Sequence, residues 1–180
     1  PKSKYSFLKL HTHYNEEYIS VIKKANILPT ILIRDIRDMM ISRYYHILAD
    51  KNHWQHKDLK NLDFEQAFLK SLITKDKEDN IRVIDYYAKW IEGWFNYNLD
   101  NKDKSLLIFY EEMLENIFDV FDQFCLFYNF DFDKNNILEM IELQKLKQIN
   151  KKNLRENLKL PGKLVNTFRK GIAGEWKNKL

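Results

Sequence analysis

The chain has 180 residues, of which 44% are hydrophobic, 14% aromatic and 31% charged, and its formal net charge is +4. This composition excludes a disordered chain, and no apolar run reaches the roughly 18 residues that a transmembrane helix needs. No apolar signal-peptide core follows the first charges. The single cysteine, Cys125, excludes an internal disulfide and a multi-cysteine zinc site, so we expect a cytoplasmic protein.

Two apolar runs without alternation, residues 30–33 and 106–109, predict strands covered on both faces, and residues 5–10 predict a short first strand. Apolar residues recur at helical spacing between and after them. The predicted helices cover residues 15–24, 36–48, 63–72 and 81–98, a long stretch through residues 114–128, and a last helix from a cap at Asp133 to about residue 146. Polar loops are predicted at residues 49–62 and beyond residue 146. Strands alternating with helices favour an α/β fold with a parallel sheet, in one domain over residues 1–180.

Charge is distributed unevenly along the chain. Residues 143–180 contain eleven Lys or Arg and two acids, so this segment carries +9 and the remainder −5. Such a basic segment is typical of a protein with an anionic partner, such as a nucleic acid, a membrane surface or a phosphorylated small molecule. A solvated lysine-rich tail is the alternative on charge alone.

The junction between the second strand and the following helix is a candidate phosphate site. Arg34 directly follows the strand, and the helix N-terminus offers free backbone N–H groups and a positive dipole end. Ser42 lies within the first turns of that helix and offers a hydroxyl. Ligands of parallel α/β sheets bind at the carboxyl ends of the strands, which is where both residues are expected. The alternative is a surface turn in which charged residues pair with one another: Arg34, Asp35, Arg37 and Asp38.

A second candidate lies near the end of the chain. Arg169 and Lys170 run into Gly171, where the backbone can approach a ligand because no Cβ intervenes. A guanidinium fork beside an ammonium group suits a phosphate monoester. Trp176, slightly further on, is more typical of a core or lid anchor than of a ligand contact. Taken by themselves, these residues form a basic loop of undetermined purpose.

Residues 34–46 resemble a motif of the sulfotransferases that use 3′-phosphoadenosine 5′-phosphosulfate (PAPS), which reads R-N-P-R-D-x-x-x-S-Y-Y-H. Asp35 and Ile36 stand where that family has asparagine and proline, and an additional Arg43 precedes the two tyrosines.

Residues 169–180 are similar to the closing motif of the same family, R-K-G-x-x-G-D-W-K-N-x-F, with Glu175 for aspartate and Leu180 for phenylalanine. Residues 109–113 resemble its F-Y-E-D-M segment. The order and the spacing of the three matches extend the resemblance over nearly the whole chain. The resemblance implies the sulfotransferase fold, a parallel sheet flanked by helices like that of P-loop nucleotide kinases, here helix-rich and incomplete at the N-terminus.

The resemblance also implies a donor site for PAPS, with 3′-phosphoadenosine 5′-phosphate (PAP) as product and no metal. Tyr110 is implied to contact the adenine ring. The residues implied to hold the nucleotide and its 3′-phosphate are Arg34, Ser42, Arg169, Lys170 and Gly171.

His53 and His56 share a helical face, but no carboxylate or cysteine cluster completes a zinc site around them.

Residues 9–11 are similar to the family's K-T-H segment, which implies the reaction centre. His11 is implied to be the general base that takes the proton of the acceptor hydroxyl, and Lys9 to stabilise charge near the sulfuryl group. Imidazole has a free pKa of about 6.5 and can act as a base near neutral pH. His13 would face the same side of an extended strand and is the alternative base. The position within the motif favours His11.

The family's early P-K-S-G-T-T-W loop, which cradles the 5′-phosphosulfate, has no counterpart in this chain. Residues 1–3 share three letters with it, but the glycine and the threonines are missing. We therefore expect a partial domain, cut from a longer protein and lacking that loop. The predicted function is transfer of a sulfuryl group from PAPS to a hydroxyl acceptor, and the alternative is a non-catalytic remnant that binds a nucleotide or a partner.

A small-molecule hydroxyl acceptor is the expected partner, and neither a nucleic acid nor a transmembrane segment is expected. The sequence determines neither the acceptor nor the oligomeric state. Two variable loops, residues 50–62 and 147–166, are expected to set acceptor specificity, and Tyr86 or Tyr87 is a candidate for the wall of the acceptor site.

Overall fold

The computed structural model describes residues 8–10, 12, 14–75, 80–131, 133, 135–143 and 172–180. They form helices packed around two parallel strands. The strands are β1 (Thr30–Ile33) and β2 (Leu106–Phe109). The helices are α1 (Glu16–Lys24), α2 (Ile36–Ala49), α3 (His56–Leu59), α4 (Phe64–Ile73), α5 (Val83–Asp100), α6 (Tyr110–Glu115) and α7 (Ile117–Tyr128). Residues 135–143 are also helical, and Glu175–Asn178 form a 3₁₀ turn.

The two strands lie side by side in parallel, with Thr30 paired to Leu106 and Ile33 paired to Phe109. A parallel pair requires a crossover connection, which α2 to α5 supply between the strands. Because the register is unshifted, both strands end at the same level, and the residues that follow them emerge next to each other. This edge of the sheet carries the candidate site.

Two groups of buried side chains hold the fold together. The first lies between α2, α3, α4 and α5 and includes Ile41 and Ile47, both fully buried, with Trp176 packed against it. The second joins α1 and β1 to α5 and includes Ile19, Ile31, Ile33, Trp94 and Tyr97. Helix α5 contributes to both groups, so it fixes the position of the sheet relative to α2.

Several helices begin where a polar side chain satisfies a free backbone donor. Asn15 accepts a hydrogen bond from the Tyr18 N–H at 2.8 Å, and Asp63 accepts one from the Gln66 N–H at 2.9 Å. None of the helices that the structure describes is long and apolar enough to span a bilayer.

The strands predicted at residues 30–33 and 106–109 are confirmed with those bounds. The prediction that both faces are covered is wrong for β1, whose residues alternate between exposed and buried, with Leu32 48% exposed. The prediction of a strand at residues 5–10 is wrong for its described part, because residues 8–10 are in no strand. Leu8 and Leu10 are 81% and 63% exposed, and no described strand pairs with them. Residues 5–7 lie outside the described part of the chain.

Two further predictions need correction. The predicted loop at 49–62 contains α3, because Leu59 is buried in the first group of side chains. The long helix predicted through 114–128 is two helices separated at Asn116, whose backbone is non-helical and whose side chain accepts from the Asp119 N–H. The last predicted helix is confirmed for residues 135–143, where Asp133 accepts from the Asn135 N–H. Residues 144–146 are not described.

Candidate functional site

Arg34 and Tyr110 directly follow the two paired strands, so the unshifted register places them together. The Arg34 guanidinium carbon lies 4.5 Å from the centre of the Tyr110 ring, a cation–π contact. One residue further along each chain segment, the Asp35 N–H donates to the Glu111 Oε1 at 3.0 Å. The loops after the two strands are therefore tied to each other at the edge of the sheet.

The Arg34 guanidinium also reaches the end of the chain. Its Nη2 donates to the Ile172 carbonyl oxygen at 2.8 Å, a contact between residues 138 positions apart. Its Nε is buried and has no hydrogen-bond partner among the described residues. A buried donor without an acceptor costs roughly 1–3 kcal/mol, and an anion at this place would remove that cost. The chemistry of this group suits a phosphate oxygen.

Asp38 fixes the closing segment, which we define as residues 172–180, onto the start of α2. Its side chain is buried, and each carboxylate oxygen accepts one backbone hydrogen bond. The Gly174 N–H donates to Oδ2 at 2.6 Å and the Trp176 N–H to Oδ1 at 3.0 Å. Hydrogen bonds to a charged group each contribute about 1.5–3 kcal/mol. Gly174 adopts a left-handed backbone with φ of 76°, which suits glycine because no Cβ is present to clash.

Arg37 covers the other side of the closing segment. Its guanidinium carbon lies 3.5 Å from the centre of the Trp176 ring, and it forms an ion pair with Asp35. The hydrogen bonds from Arg37 lower the pKa of the Asp35 carboxyl below its usual value. The alternative of a surface turn with internal ion pairs therefore holds for Arg37 and Asp35 alone, since Arg34 and Asp38 contact the closing segment. Trp176 anchors that segment on the core, as expected.

The remaining residues expected at the phosphate are only partly described. Ser42 is half-buried on α2, and it follows Asp38 by four positions, so both lie on the same face of the helix. Arg169, Lys170 and Gly171 lie outside the described residues. They precede Ile172 directly in the sequence, and Ile172 contacts Arg34.

The segment implied to carry the reaction centre is anchored on α5. The Thr12 carbonyl oxygen accepts hydrogen bonds from the Trp90 Nε1 at 2.7 Å and the Trp94 Nε1 at 3.1 Å. Tyr14 packs edge-on against Trp94, with ring centres 5.9 Å apart. Lys9 is exposed, and His11 and His13 both lie outside the described residues. The structure thus describes the backbone carbonyl between the two candidate bases, but neither base.

The histidines of the 50–62 region take part in packing. The His53 Nδ1 accepts from the Gln55 N–H at 3.1 Å, and the ring of His53 stacks on Trp54. His56 uses its Nδ1 to contact the Ile47 carbonyl oxygen at 2.9 Å. Within the described ranges, no group of three or more His, Cys, Asp or Glu residues is arranged to hold a metal ion.

Arg43, the insertion relative to the family motif, turns away from the phosphate site into the helical core. It donates to the Gln55 Oε1 and the Ser71 carbonyl oxygen. Burial lowers its pKa, and Tyr87 opposes this effect as a further partner. Tyr87, a candidate for the acceptor wall, packs against the first group of buried side chains. Its assignment to the acceptor site stays a prediction.

Sequence reasoning missed three contributions to this site. Asp38 and Glu111 bind backbone N–H groups, and Thr12 contributes a backbone carbonyl. Every residue except proline carries the same backbone groups, so no residue type in the sequence marks these partners. The motif positions of Asp38 and Glu111 were visible, but their partners were not.

The geometry agrees with the comparisons to known proteins. A sequence profile described as the sulfotransferase domain matches residues 2–180, so the chain belongs to the sulfotransferase family. Among curated protein sequences, no match was found.

Among solved structures, the crystal structure of mouse sulfotransferase SULT7A1 complexed with PAP is similar, with a TM-score of 0.65 and 18% sequence identity. The match covers 94% of this chain and 58% of the mouse chain. At this identity the likeness establishes the fold. The chain therefore has an incomplete α/β sulfotransferase fold, as the sequence predicted.

Proposed function

We propose that this chain forms the 3′-phosphate and adenine side of a PAPS site, and that the whole protein transfers a sulfuryl group to the hydroxyl of a small molecule. The observation that carries this proposal is the environment of Arg34. Its guanidinium lies at the carboxyl end of β1, between the Tyr110 ring and Ile172, with a buried Nε that lacks a partner among the described residues. A phosphate oxygen would supply that partner.

The elements around Arg34 support an anion at the same place. Helix α2 is 14 residues long and begins two positions after Arg34, so its dipole favours negative charge nearby, and the Asp35 side chain already caps the Arg37 N–H of its first turn. Ser42 contributes a hydroxyl from the same helix. Arg169, Lys170 and Gly171 directly precede Ile172 in the sequence, and Ile172 contacts Arg34. This sequence neighbourhood supports their assignment to the same phosphate.

The adenine is assigned to Tyr110, which begins α6 beside Arg34. An aromatic ring binds a flat base by stacking, and the Arg34 guanidinium holds the Tyr110 ring in place from one side. The mouse relative was crystallised with PAP, the product nucleotide that this assignment requires.

The transfer step forms a bond between the acceptor oxygen and sulfur and breaks the bond from sulfur to the bridging oxygen of the 5′-phosphate. The hydroxyl proton passes to the imidazole of His11, and PAP leaves with the bonding electron pair on its phosphate oxygen. In-line positioning and cations around the non-bridging oxygens lower the barrier of such a transfer. Lys9 is assigned the cationic role at the sulfuryl group. His13 is the alternative base, and no metal takes part in the step.

Calorimetric titration of the full-length protein with PAP and with adenosine 5′-phosphate tests the donor site. We expect PAP to bind at least tenfold more tightly, because only PAP carries the 3′-phosphate. Arg34→Ala should remove at least tenfold of the PAP affinity, since a charge-assisted contact to a buried phosphate contributes about 1.5–3 kcal/mol. Arg82→Ala is the matched control, because Arg82 is exposed and forms an ion pair with Asp85. An unchanged PAP affinity in Arg34→Ala would contradict the proposal.

Incubation of the full-length protein with PAPS and a simple phenol tests catalysis separately. Formation of the sulfate ester would support the enzyme and exclude the non-catalytic alternative. Substitution of the base should abolish the ester while PAP still binds, so comparison of His11→Ala with His13→Ala identifies the base. PAP binding without any ester from a panel of phenols, sterols and sugars would favour the remnant. A cytoplasmic location and the acceptor role of residues 50–62 stay predictions.

A further inference from the structure

Asp38 makes the most unusual contact of the site. It is a carboxylate, 1% exposed, next to a place that we assign to a doubly charged phosphate. A carboxylate beside another anion is unfavourable unless hydrogen-bond donors or opposite charges compensate it. Both of its oxygens are engaged by the closing segment, through the N–H groups of Gly174 and Trp176. The carboxylate therefore faces a pair of backbone donors that belong to an element 136 residues further along the chain.

The same segment is fixed at two flanking points. On one side of the carboxylate contact, the Ile172 carbonyl oxygen accepts from Arg34. On the other side, the Trp176 ring packs on the core and carries the Arg37 guanidinium on its face. Contacts at residues 172, 174 and 176 thus hold the segment against Arg34 and the start of α2.

We propose that Asp38 is a positioning residue for the 3′-phosphate. By holding the Gly174 and Trp176 amides it keeps the Ile172 carbonyl oxygen against Arg34, and it thereby sets the position of the guanidinium that receives the phosphate. This inference rests on the proposed PAPS site and adds to it a residue that does not touch the nucleotide. Its signature is selective. Loss of the contact weakens binding of the 3′-phosphate but leaves the contacts to adenine and the 5′-phosphate in place.

Asp38→Asn is the sharpest substitution, because it keeps the shape of the side chain. The asparagine side chain has one acceptor oxygen and one NH₂ donor. The N–H of either Gly174 or Trp176 would therefore face an NH₂ group in place of an oxygen and lose its hydrogen bond. Asp85→Asn is the matched control, because it makes the same chemical change in the first turn of α5, where the half-exposed Asp85 pairs with Arg82.

The measurement is the ratio of the affinities for PAP and adenosine 5′-phosphate in the full-length protein. We expect Asp38→Asn to lower this ratio at least tenfold and Asp85→Asn to leave it unchanged. Hydrogen exchange at residues 172–180 should be faster in Asp38→Asn, which shows that the segment has been released. If Asp38 had only a general structural role, Asp38→Asn would weaken the binding of both nucleotides equally and leave the ratio unchanged. That result would overturn the inference.

A second variant addresses the contact from the other side. Gly174→Ala adds a methyl group to a residue with φ of 76°, where side chains are disfavoured, while the nearest atoms to the new Cβ are those of Lys177 at 3.9 Å. The substitution therefore strains the turn without a clash, and it should lower the same ratio by a smaller factor. An unaltered ratio in Gly174→Ala, with faster exchange of the segment, would also overturn the inference. If the wild-type protein shows no preference for PAP, the proposed function itself fails, and this inference with it.

Discussion

Gly93 lies in the middle of α5 and is in close contact with Tyr14, the residue that follows the two candidate bases. A Cβ added at Gly93 would lie 2.6 Å from the Tyr14 Cβ and 2.7 Å from its Cγ. Carbon atoms that are not bonded approach to about 3.5–4.0 Å, so Gly93→Ala requires a displacement of about 1 Å. The nearest atom is a Cβ, which side-chain rotation cannot move away, so the backbone of Tyr14 must shift.

Two effects of opposite sign determine the stability of Gly93→Ala. Overpacking of a close contact costs about 1–3 kcal/mol, whereas alanine in place of glycine within a helix gains about 0.5–1 kcal/mol. We expect a net destabilisation of about 1–2 kcal/mol. In a chain of this size, that corresponds to a decrease of about 2–8 °C in the melting temperature.

Equilibrium urea unfolding in a double-mutant cycle measures the contact. Tyr14→Gly removes the three atoms nearest to the new methyl group, whereas alanine at this position would keep the Cβ and the clash. In the Tyr14→Gly background, Gly93→Ala should therefore become stabilising by about 0.5–1 kcal/mol. Comparison of Asn96→Gly with Asn96→Ala, at an exposed position of α5, gives the glycine-to-alanine helix-propensity contribution alone. The reasoning is refuted if Gly93→Ala has the same effect in both backgrounds.

Two further predictions concern the helical core. Ile41 is fully buried in α2, so Ile41→Ala should lower the free energy of unfolding by about 2–5 kcal/mol. Leu69 is 57% exposed, so the control Leu69→Ala should change it little. Equal losses of stability in urea unfolding would contradict this prediction. Burial and then Arg43 lower the pKa of His53, whose Nδ1 accepts from the Gln55 N–H. The unfolded chain therefore binds more protons than the folded chain as pH falls below about 6.5, and the stability of the fold decreases. His53→Gln should reduce the dependence of the melting temperature on pH between 7 and 5, and an unchanged dependence would disprove the link.

The sequence by itself determined the local elements and the chemistry that they carry. The apolar runs at 30–33 and 106–109 gave the correct strands, because a short apolar run between polar segments has the length of a strand. The position of α4, predicted at residues 63–72, and the helical spacing in α5 were also visible in the residues. The motif around Arg34 indicated the family, which the profile match confirms. These features depend on neighbours within one or two turns of chain.

The tertiary structure alone decided how distant segments meet. The contact of Arg34 with Ile172, the hold of Asp38 on Gly174 and the two indole N–H groups on Thr12 all join an element to a backbone group far away in sequence. Backbone groups are the same at nearly every position, so a sequence contains no sign of which one a side chain will bind. The absence of a strand at residues 8–10 has a similar cause, because a strand forms only where a partner strand is present, and pairing is a property of the folded sheet.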